Sequence, residues 1–323
     1  MKFARVLLLV SNLALAACFS ASLQAQAPAR MLAGFPPGGG VDILARIFAE
    51  RWSEATGRPV VVENRAGAGG LIAMEALKAA APDGNTLILA TDSNLTVYPH
   101  TVAKPAYDAL ADFVGVAHTG GYAFALGISA SIPSKDLREF IAWAKANPNS
   151  ASYGSSGAGS VLQFYGTMIA QATGAPLTHV SYRGVAPAIT ALAGGEVAAA
   201  VLPMGTILNQ VKAGKARILA HSGAKRTAAA PEVPTFTELG FPALEQPGWF
   251  SIVGPAGMRP EVLTRLHGIF VQAMRTAAIK ERMARLDLEI QEMTPAEFAA
   301  LIKNDYERWG RVVKASGWVP AGN

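Results

Sequence analysis

The chain has 323 residues, 51% of them hydrophobic and only 16% charged, with a formal net charge of +5. That length supports about two domains with a sizeable core. A mild positive balance without a long basic run excludes a nucleic-acid footprint. The only cysteine, Cys18, excludes an internal disulfide, so the fold rests on its core.

Met1-Lys2-Phe3-Ala4-Arg5, the apolar stretches Val6 to Val10 and Leu13 to Ala17, and the small residues after them predict a secretory signal peptide over residues 1–27. The apolar part, broken by Ser11-Asn12, is too short to span a bilayer. Leu15-Ala16-Ala17-Cys18 resembles a lipobox, in which Cys18 would be acylated, and a competing cut follows Ala25-Gln26-Ala27. The expectation is a soluble periplasmic protein, with lipidation at Cys18 as the alternative. Loss of Lys2 and Arg5 brings the mature charge near +3, compatible with collecting small anions.

The mature chain starts with a loop, Phe35-Pro36-Pro37-Gly38-Gly39-Gly40, feeding a helix. Ile43, Leu44, Ile47, Phe48 and Trp52 follow one helical face. Asp42 sits at its start, where a carboxylate accepts from an orphan N–H. Two prolines fix two φ angles and remove two donors. Three glycines let the backbone approach a ligand, and a β-branched residue at Gly39 is expected to forbid a positive φ there. Such a loop at a helix N-terminus suits an anion.

Pro59 to Glu63 reads as a strand, Asn64 to Gly70 as a loop and Leu71 to Lys78 as a helix stopped by Pro82-Asp83-Gly84. Thr86 to Ala90 is the next strand, ending at Thr91-Asp92-Ser93-Asn94. These are βαβ units, which make a parallel sheet with ligands beyond the carboxyl ends of its strands. A second block follows. It has a strand at Phe124 to Ile128, a helix at Leu137 to Lys145, and a strand at Ala151 to Gly154. The serine loop Ser155 to Ser160 opens a helix from Val161 to Ala172. Thr178 to Tyr182 is a strand, Gly184 and Pro187 open another helix, and Val197 to Leu202 and Arg217 to Ala220 complete a second sheet. The last third has a proline-rich connection, a strand at Trp249 to Val253, and helices over Glu261 to Ala277 and Pro295 to Lys314. Two α/β lobes crossed more than once are predicted, as 28–118, 119–222 and a return segment 223–323.

With these pieces quoted, the chain resembles the tripartite tricarboxylate transporter receptors, the Bug/TctC group of periplasmic substrate-binding proteins. The matching segments are Phe35 to Gly40 with Asp42, Val61 to Arg65 with Gly67 to Gly70, Ala81 to Gly84, Tyr153 to Gly157 with Gly159-Ser160, His179 to Tyr182 with Gly184 and Pro187, Gly254 to Gly257, and Thr294 to Phe298 with Trp309. They span nearly the whole mature chain in order. The resemblance implies a type II, two-lobed, hinged Venus-flytrap fold, each lobe a mostly parallel sheet flanked by helices. It implies capture of a small carboxylate or related organic anion between the lobes, through amides, hydroxyls and waters, for a membrane permease. A monomer without a cofactor is expected. Val41, Gln163, Thr167 and Ala198 depart from the pattern, so substrate identity does not carry over.

The candidate ligand-binding set is Phe35, Pro37, Gly38, Gly39 and Asp42, then Thr91 and Ser93, then Ser155, Ser156, Gly159 and Ser160, then Tyr182 and Pro187. The serines are expected as hydrogen-bond donors to the ligand, although helix capping would also explain them. Tyr182 reads equally well as a packed aromatic. No metal site is expected, since the histidines at 100, 118, 179, 221 and 267 are scattered and no HExxH occurs. No G-x-S-x-G surrounds the serine loop, so no nucleophile and no enzyme is expected. The enzyme rival is a dinucleotide-dependent oxidoreductase using Gly38, Gly40 and Glu63. It lacks the third glycine, replaced by Ile43, and has two prolines foreign to that turn. An exported sensor or adaptor that binds a ligand without transport is the other alternative.

Overall fold

The computed structural model describes residues 28–320, so the predicted signal region and Cys18 lie outside the described residues. The chain begins with β1 (Ala29–Ala33), α1 (Gly40–Thr56), β2 (Val60–Asn64), α2 (Leu71–Lys78) and β3 (Thr86–Thr91). β1 pairs in parallel with both β2 and β3, as the βαβ reading requires. Two short helices follow, α3 (Asp92–Thr96) and α4 (Tyr98–Thr101), and then β4 (Phe113–Tyr122).

At Ala123 the chain passes directly into a second sheet. Its elements are β5 (Phe124–Ser129), α5 (Leu137–Ala146), β6 (Ser152–Ser155), α6 (Val161–Thr173), β7 (Thr178–Ser181), α7 (Val185–Gly194), β8 (Ala199–Pro203), α8 (Met204–Lys212) and β9 (Ala216–His221). The chain returns through β10 (Gly248–Pro255) and closes with α9 (Pro260–Arg275), α10 (Ala277–Arg285) and α11 (Pro295–Ala315).

The two sheets are built alike. Their orders are β2-β1-β3-β10-β4 and β7-β6-β8-β5-β9. In each, the strand second from one edge runs antiparallel to its neighbours: β10 against β3 and β4, and β5 against β8 and β9. Those two strands are the ones through which the chain arrives from the other lobe. Each sheet is therefore mixed, with the remaining strands co-directional, which is the two-lobed type II architecture. The inner strands β3 and β5 are buried along their whole length, consistent with helices on both faces.

Position 118/119 lies inside β4, which continues in the first sheet to Tyr122. Residues 223–247 pack on the second lobe. There Phe236 meets Tyr165 edge-on at 6.1 Å, and the Tyr165 hydroxyl donates to the Leu244 carbonyl. The return to the first sheet comes at Gly248.

The sequence reading ended its helix at Ala277 and missed α10, which starts there after the single break residue Thr276. It also missed α8, which leaves β8 directly from Pro203 with no polar cap to announce it.

Around the crossings, β5 is tied to the end of β9, and the residues flanking Ala123 and Gly248 pack together. The Phe124 amide donates to Ser222 Oγ at 2.9 Å, and the Ser222 amide donates to the Phe124 carbonyl at 2.8 Å. Tyr122 stacks on Phe250 with centroids 4.8 Å apart and meets Phe124 edge-on at 5.4 Å. Gly248 has to be glycine here, since a Cβ would stand 2.6 Å from both the Phe124 and Tyr122 rings.

Candidate functional site

Three lobe-1 loops lie beyond the carboxyl ends of β1, β2 and β3, and polar side chains bind them into one surface. Asn64 Nδ2 donates to the Phe35 carbonyl at 3.1 Å and to Asp42 Oδ1 at 2.8 Å. The Arg65 amide donates to the Ala33 carbonyl at 2.8 Å. Asn94 Nδ2 donates to the Gly69 carbonyl at 2.9 Å, while its Oδ1 accepts from the Thr91 hydroxyl at 2.9 Å. Asn64 and Asn94 were absent from the sequence-derived set. Asn64 ends β2 and Asn94 stands three residues past β3, and an asparagine just after a parallel strand, where the chain turns, is the signal that marks them.

Asp42 is buried and already committed. It is the third residue of α1 rather than its cap, and the N-cap is Gly39. Its Oδ2 accepts from the Gly38 amide at 2.9 Å and from Arg46 Nε at 3.0 Å. Burial disfavours the charge, but the hydrogen bonds from Arg46, Gly38 and Asn64 outweigh it and hold this carboxyl down at about 2. Asp42 therefore shapes the loop, and a negative group here is suited to the helix N-terminus rather than to an anionic ligand.

The positive φ in this loop belongs to Gly38, at +84°, and Gly39 sits at −80° in extended backbone. The expectation of a positive φ at Gly39 is corrected accordingly. Pro37, Gly38, Gly39 and Gly40 are exposed and Phe35 is half-buried. Gly39 supplies no side-chain cap, and the first intrahelical bond is the Ile43 amide to the Gly39 carbonyl. The amides at the start of α1 thus face outward without a side-chain partner.

The lobe-2 loop repeats this plan with neutral groups. Gly159, with φ +73°, donates its amide to Gln163 Oε1 at 2.7 Å. Ser160 is the N-cap of α6, accepting from the Gln163 amide and donating to the Gly157 carbonyl at 2.7 Å. Ser155 is fully buried, with its hydroxyl 2.7 Å from His179 Nε2. Burial pushes His179 down to about 4, so it is neutral near pH 7. Two of the three serine hydroxyls are therefore engaged in holding the loop. Ser156 is half-buried and has no side-chain hydrogen bond among the described residues.

Across the lobes, the Val161 amide at the start of α6 donates to Ser93 Oγ at 3.1 Å. A Cβ on Gly159 would stand 3.4 Å from Thr101 Oγ1. The serine loop thus meets lobe 1 at α3 and α4. Thr91 is buried and turned to Asn94. Tyr182 follows β7 and donates its hydroxyl to Glu196 at 3.0 Å, its ring lying against Gly154. Pro187 is exposed in the first turn of α7, whose cap Gly184 offers no side chain.

Chemically, the arrangement offers amides and small polar groups at helix starts; neither Phe35 to Gly40 nor Ser155 to Ser160 carries a lysine or arginine, and the neighbouring Arg46 and Arg65 are paired with Asp42 and Glu63. Among the described residues no cluster of histidine, cysteine, aspartate or glutamate could hold a metal ion. Two lobes of like topology, joined by paired crossings and touching through loops at the strand ends, define a solute-binding protein.

The comparisons give the particular family. The model of the tripartite tricarboxylate transporter family receptor, TctC, matches residues 44–318, and the chain belongs to that family. Protein BugT of Bordetella pertussis is 32% identical over 309 residues, 95% of each chain. Among solved structures, Rpa4515 of R. palustris with adipate superposes with a TM-score of 0.84 at 27% identity, covering 92% of this chain and 98% of that one. MatC of Rhodopseudomonas palustris with bound malate gives 0.81 at 26% identity, covering 88% and 98%. The family consists of periplasmic solute-binding proteins rather than enzymes.

Proposed function

We propose that this protein captures a small carboxylate in the cleft between its lobes and delivers it to a tripartite tricarboxylate-type permease. The observation that carries this reading is the pair of glycine loops feeding α1 and α6. The loop feeding α1 leaves its helix start without a side-chain cap, while at α6 the Gly159, Val161 and Gln163 amides are taken by Gln163, Ser93 and Ser160, and neither loop carries a lysine or arginine. An anion desolvated by lobe closure needs all its oxygens hydrogen-bonded, and amides at helix starts meet that need. Adipate and malate bound to two structural relatives support a carboxylate as the ligand class. Export through the N-terminal signal and docking on a permease belong to the same reading, supported by the family.

The test is a thermal-shift screen with malate, adipate and related dicarboxylates beside NAD. A ligand at about 100 times its dissociation constant adds about 2.7 kcal/mol of stability. A shift confined to carboxylates is expected. A shift given by NAD alone would overturn the proposal.

A further inference from the structure

Lobe 1 holds the first turn of α6 through three of its own residues. The Val161 amide donates to Ser93 Oγ at 3.1 Å. Phe164, on the same face of the helix, meets Trp318 edge-on with centroids 5.6 Å apart, and Trp318 Nε1 donates to the Thr101 carbonyl at 2.9 Å. Thr101 in turn stands beside Gly159, just before the helix. Ser93, Thr101 and Trp318 belong to α3, α4 and the segment after α11. A socket of lobe 1 thus receives the helix start that the serine loop feeds.

The side chains of this socket differ in what they still have to give. Thr101 donates its hydroxyl to the Tyr98 carbonyl at 2.9 Å, and the Trp318 indole is spent on Thr101. Ser93 Oγ accepts from Val161, and among the described residues its proton has no acceptor. The backbone of Ser93 is committed, its amide donating to Asp92 Oδ1 at 2.7 Å and its carbonyl accepting from the Val97 amide at 3.2 Å. Its place is fixed too. Thr91 and Asn94 close a capping box around it, and Asn94 Nδ2 reaches the Gly69 carbonyl. Ser93 is half-buried, where the strand-end surface of lobe 1 meets the serine loop of lobe 2.

We propose that Ser93 couples lobe closure to capture of the ligand: its oxygen takes the first amide of α6 when the lobes meet, and its proton goes to a carboxylate oxygen of the ligand. The inference rests on the carboxylate reading above. A hydroxyl has one proton and two lone pairs, so it accepts from one lobe and donates to the ligand at once. Accepting from an N–H at the positive end of a helix makes its own O–H the stronger donor, because hydrogen bonds in a chain polarise one another. A carboxylate on Ser93 is therefore held more tightly with α6 seated than with α6 withdrawn. By the reciprocity of coupled equilibria, the bound carboxylate favours the seated arrangement to the same degree.

The test is a double-mutant cycle read by calorimetry, with malate and with adipate, on the parent, Ser93→Ala, Val161→Pro and the variant carrying both. Proline suits the first position of a helix and removes the amide that Ser93 accepts. Ser160 before it is extended, at ψ 156°, which a following proline requires. Circular dichroism checks that each variant folds. Ser93→Ala is expected to lose about tenfold to a hundredfold in affinity, as for one hydrogen bond to a charged group. Val161→Pro should weaken binding in the parent and cost nothing further in the Ser93→Ala background, since the relay is already cut there. Ser93→Ala that binds as well as the parent overturns the inference, and this comparison decides alone if Val161→Pro does not fold. Losses that simply multiply in the double variant overturn it as well, because the two groups would then act independently. Failure of the carboxylate reading shows separately, as a parent that no dicarboxylate stabilises, and the inference falls with it.

Discussion

The loops that open α1 and α6 solve one geometric problem with different chemistry. Each has a glycine in the left-handed region, Gly38 and Gly159, and in each the residue four positions on reaches back to that glycine's amide. In lobe 1 that residue is Asp42, charged, buried and neutralised by Arg46. In lobe 2 it is Gln163, neutral. The caps differ too, with bare Gly39 in lobe 1 and Ser160 in lobe 2. A carboxylate satisfies several donors at once and locks lobe 1 into a charged network. A neutral amide and a hydroxyl leave lobe 2 with weaker, local bonds. The difference teaches that lobe 1 presents a pre-set, uncapped helix start, while lobe 2 has covered part of its own.

The strongest way to break this comparison is Asp42→Ala. It removes acceptors from the Gly38 amide, Asn64 and Arg46 together, and a loss of about 3 kcal/mol at pH 7 is expected. The sign of its pH dependence follows from a carboxyl held below its unfolded value of 3.8, at about 2. The stability it contributes is present above pH ~4 and lost as pH falls from there toward 2. Urea melts of parent and variant should thus converge as pH drops through that window. A gap that stayed constant would show that the charge is not what holds the loop.

Gly39→Val probes the outward amides themselves. Gly39 has an ordinary extended φ, and its Cβ would meet nothing closer than the Pro36 carbonyl at 3.6 Å. The fold should therefore accept valine, with the side chain standing over the start of α1. If a carboxylate binds there, losing one charge-assisted bond costs about 1.5–3 kcal/mol, a tenfold to hundredfold drop in affinity. Calorimetry with the best ligand from the thermal screen, beside an unchanged melting temperature, is the measurement. Full affinity in this variant would place the ligand elsewhere in the cleft.

Much of this was legible in the chain. The apolar runs Thr86 to Ala90 and Phe124 to Ile128 could only be buried strands, and Pro295 to Lys314 read as the long last helix that α11 is. The glycine loops were legible because prolines and glycines exclude helix and central strand. What each loop side chain does was not. Ser155 turns to His179, 24 residues away, and Asp42 to Asn64, 22 away. Such partners are chosen by strand register, which no local pattern encodes.

Ser160→Ala sharpens the lobe-2 half. Removing a serine cap costs about 1 kcal/mol. Because no charge is involved, the difference from the parent should stay the same between pH 3 and pH 8, unlike that of Asp42→Ala. Any ligand effect should follow from loosening the loop, so added stabiliser should partly restore affinity. A difference that grew or shrank with pH would mean that the hydroxyl is coupled to a titrating neighbour such as His179.

The smallest expected effect is also the most pointed. Gly39→Ser would give lobe 1 the cap that lobe 2 already has. The backbone is ready for it, since Gly39 lies at φ −80°, ψ 169° and Ser160 at φ −80°, ψ 156°. The new hydroxyl would accept from an amide in the first turn of α1, and because glycine is only slightly inferior as a cap, the gain should be about 0.3 kcal/mol. That small gain sets the prediction apart. If the first turn of α1 is kept uncapped for a ligand, the variant should be marginally more stable and yet bind its carboxylate more weakly, the hydroxyl now competing for the same amide. Calorimetry and melting on the one protein read both quantities. A variant that is more stable and binds as well as the parent would mean that the bare glycine serves the turn alone.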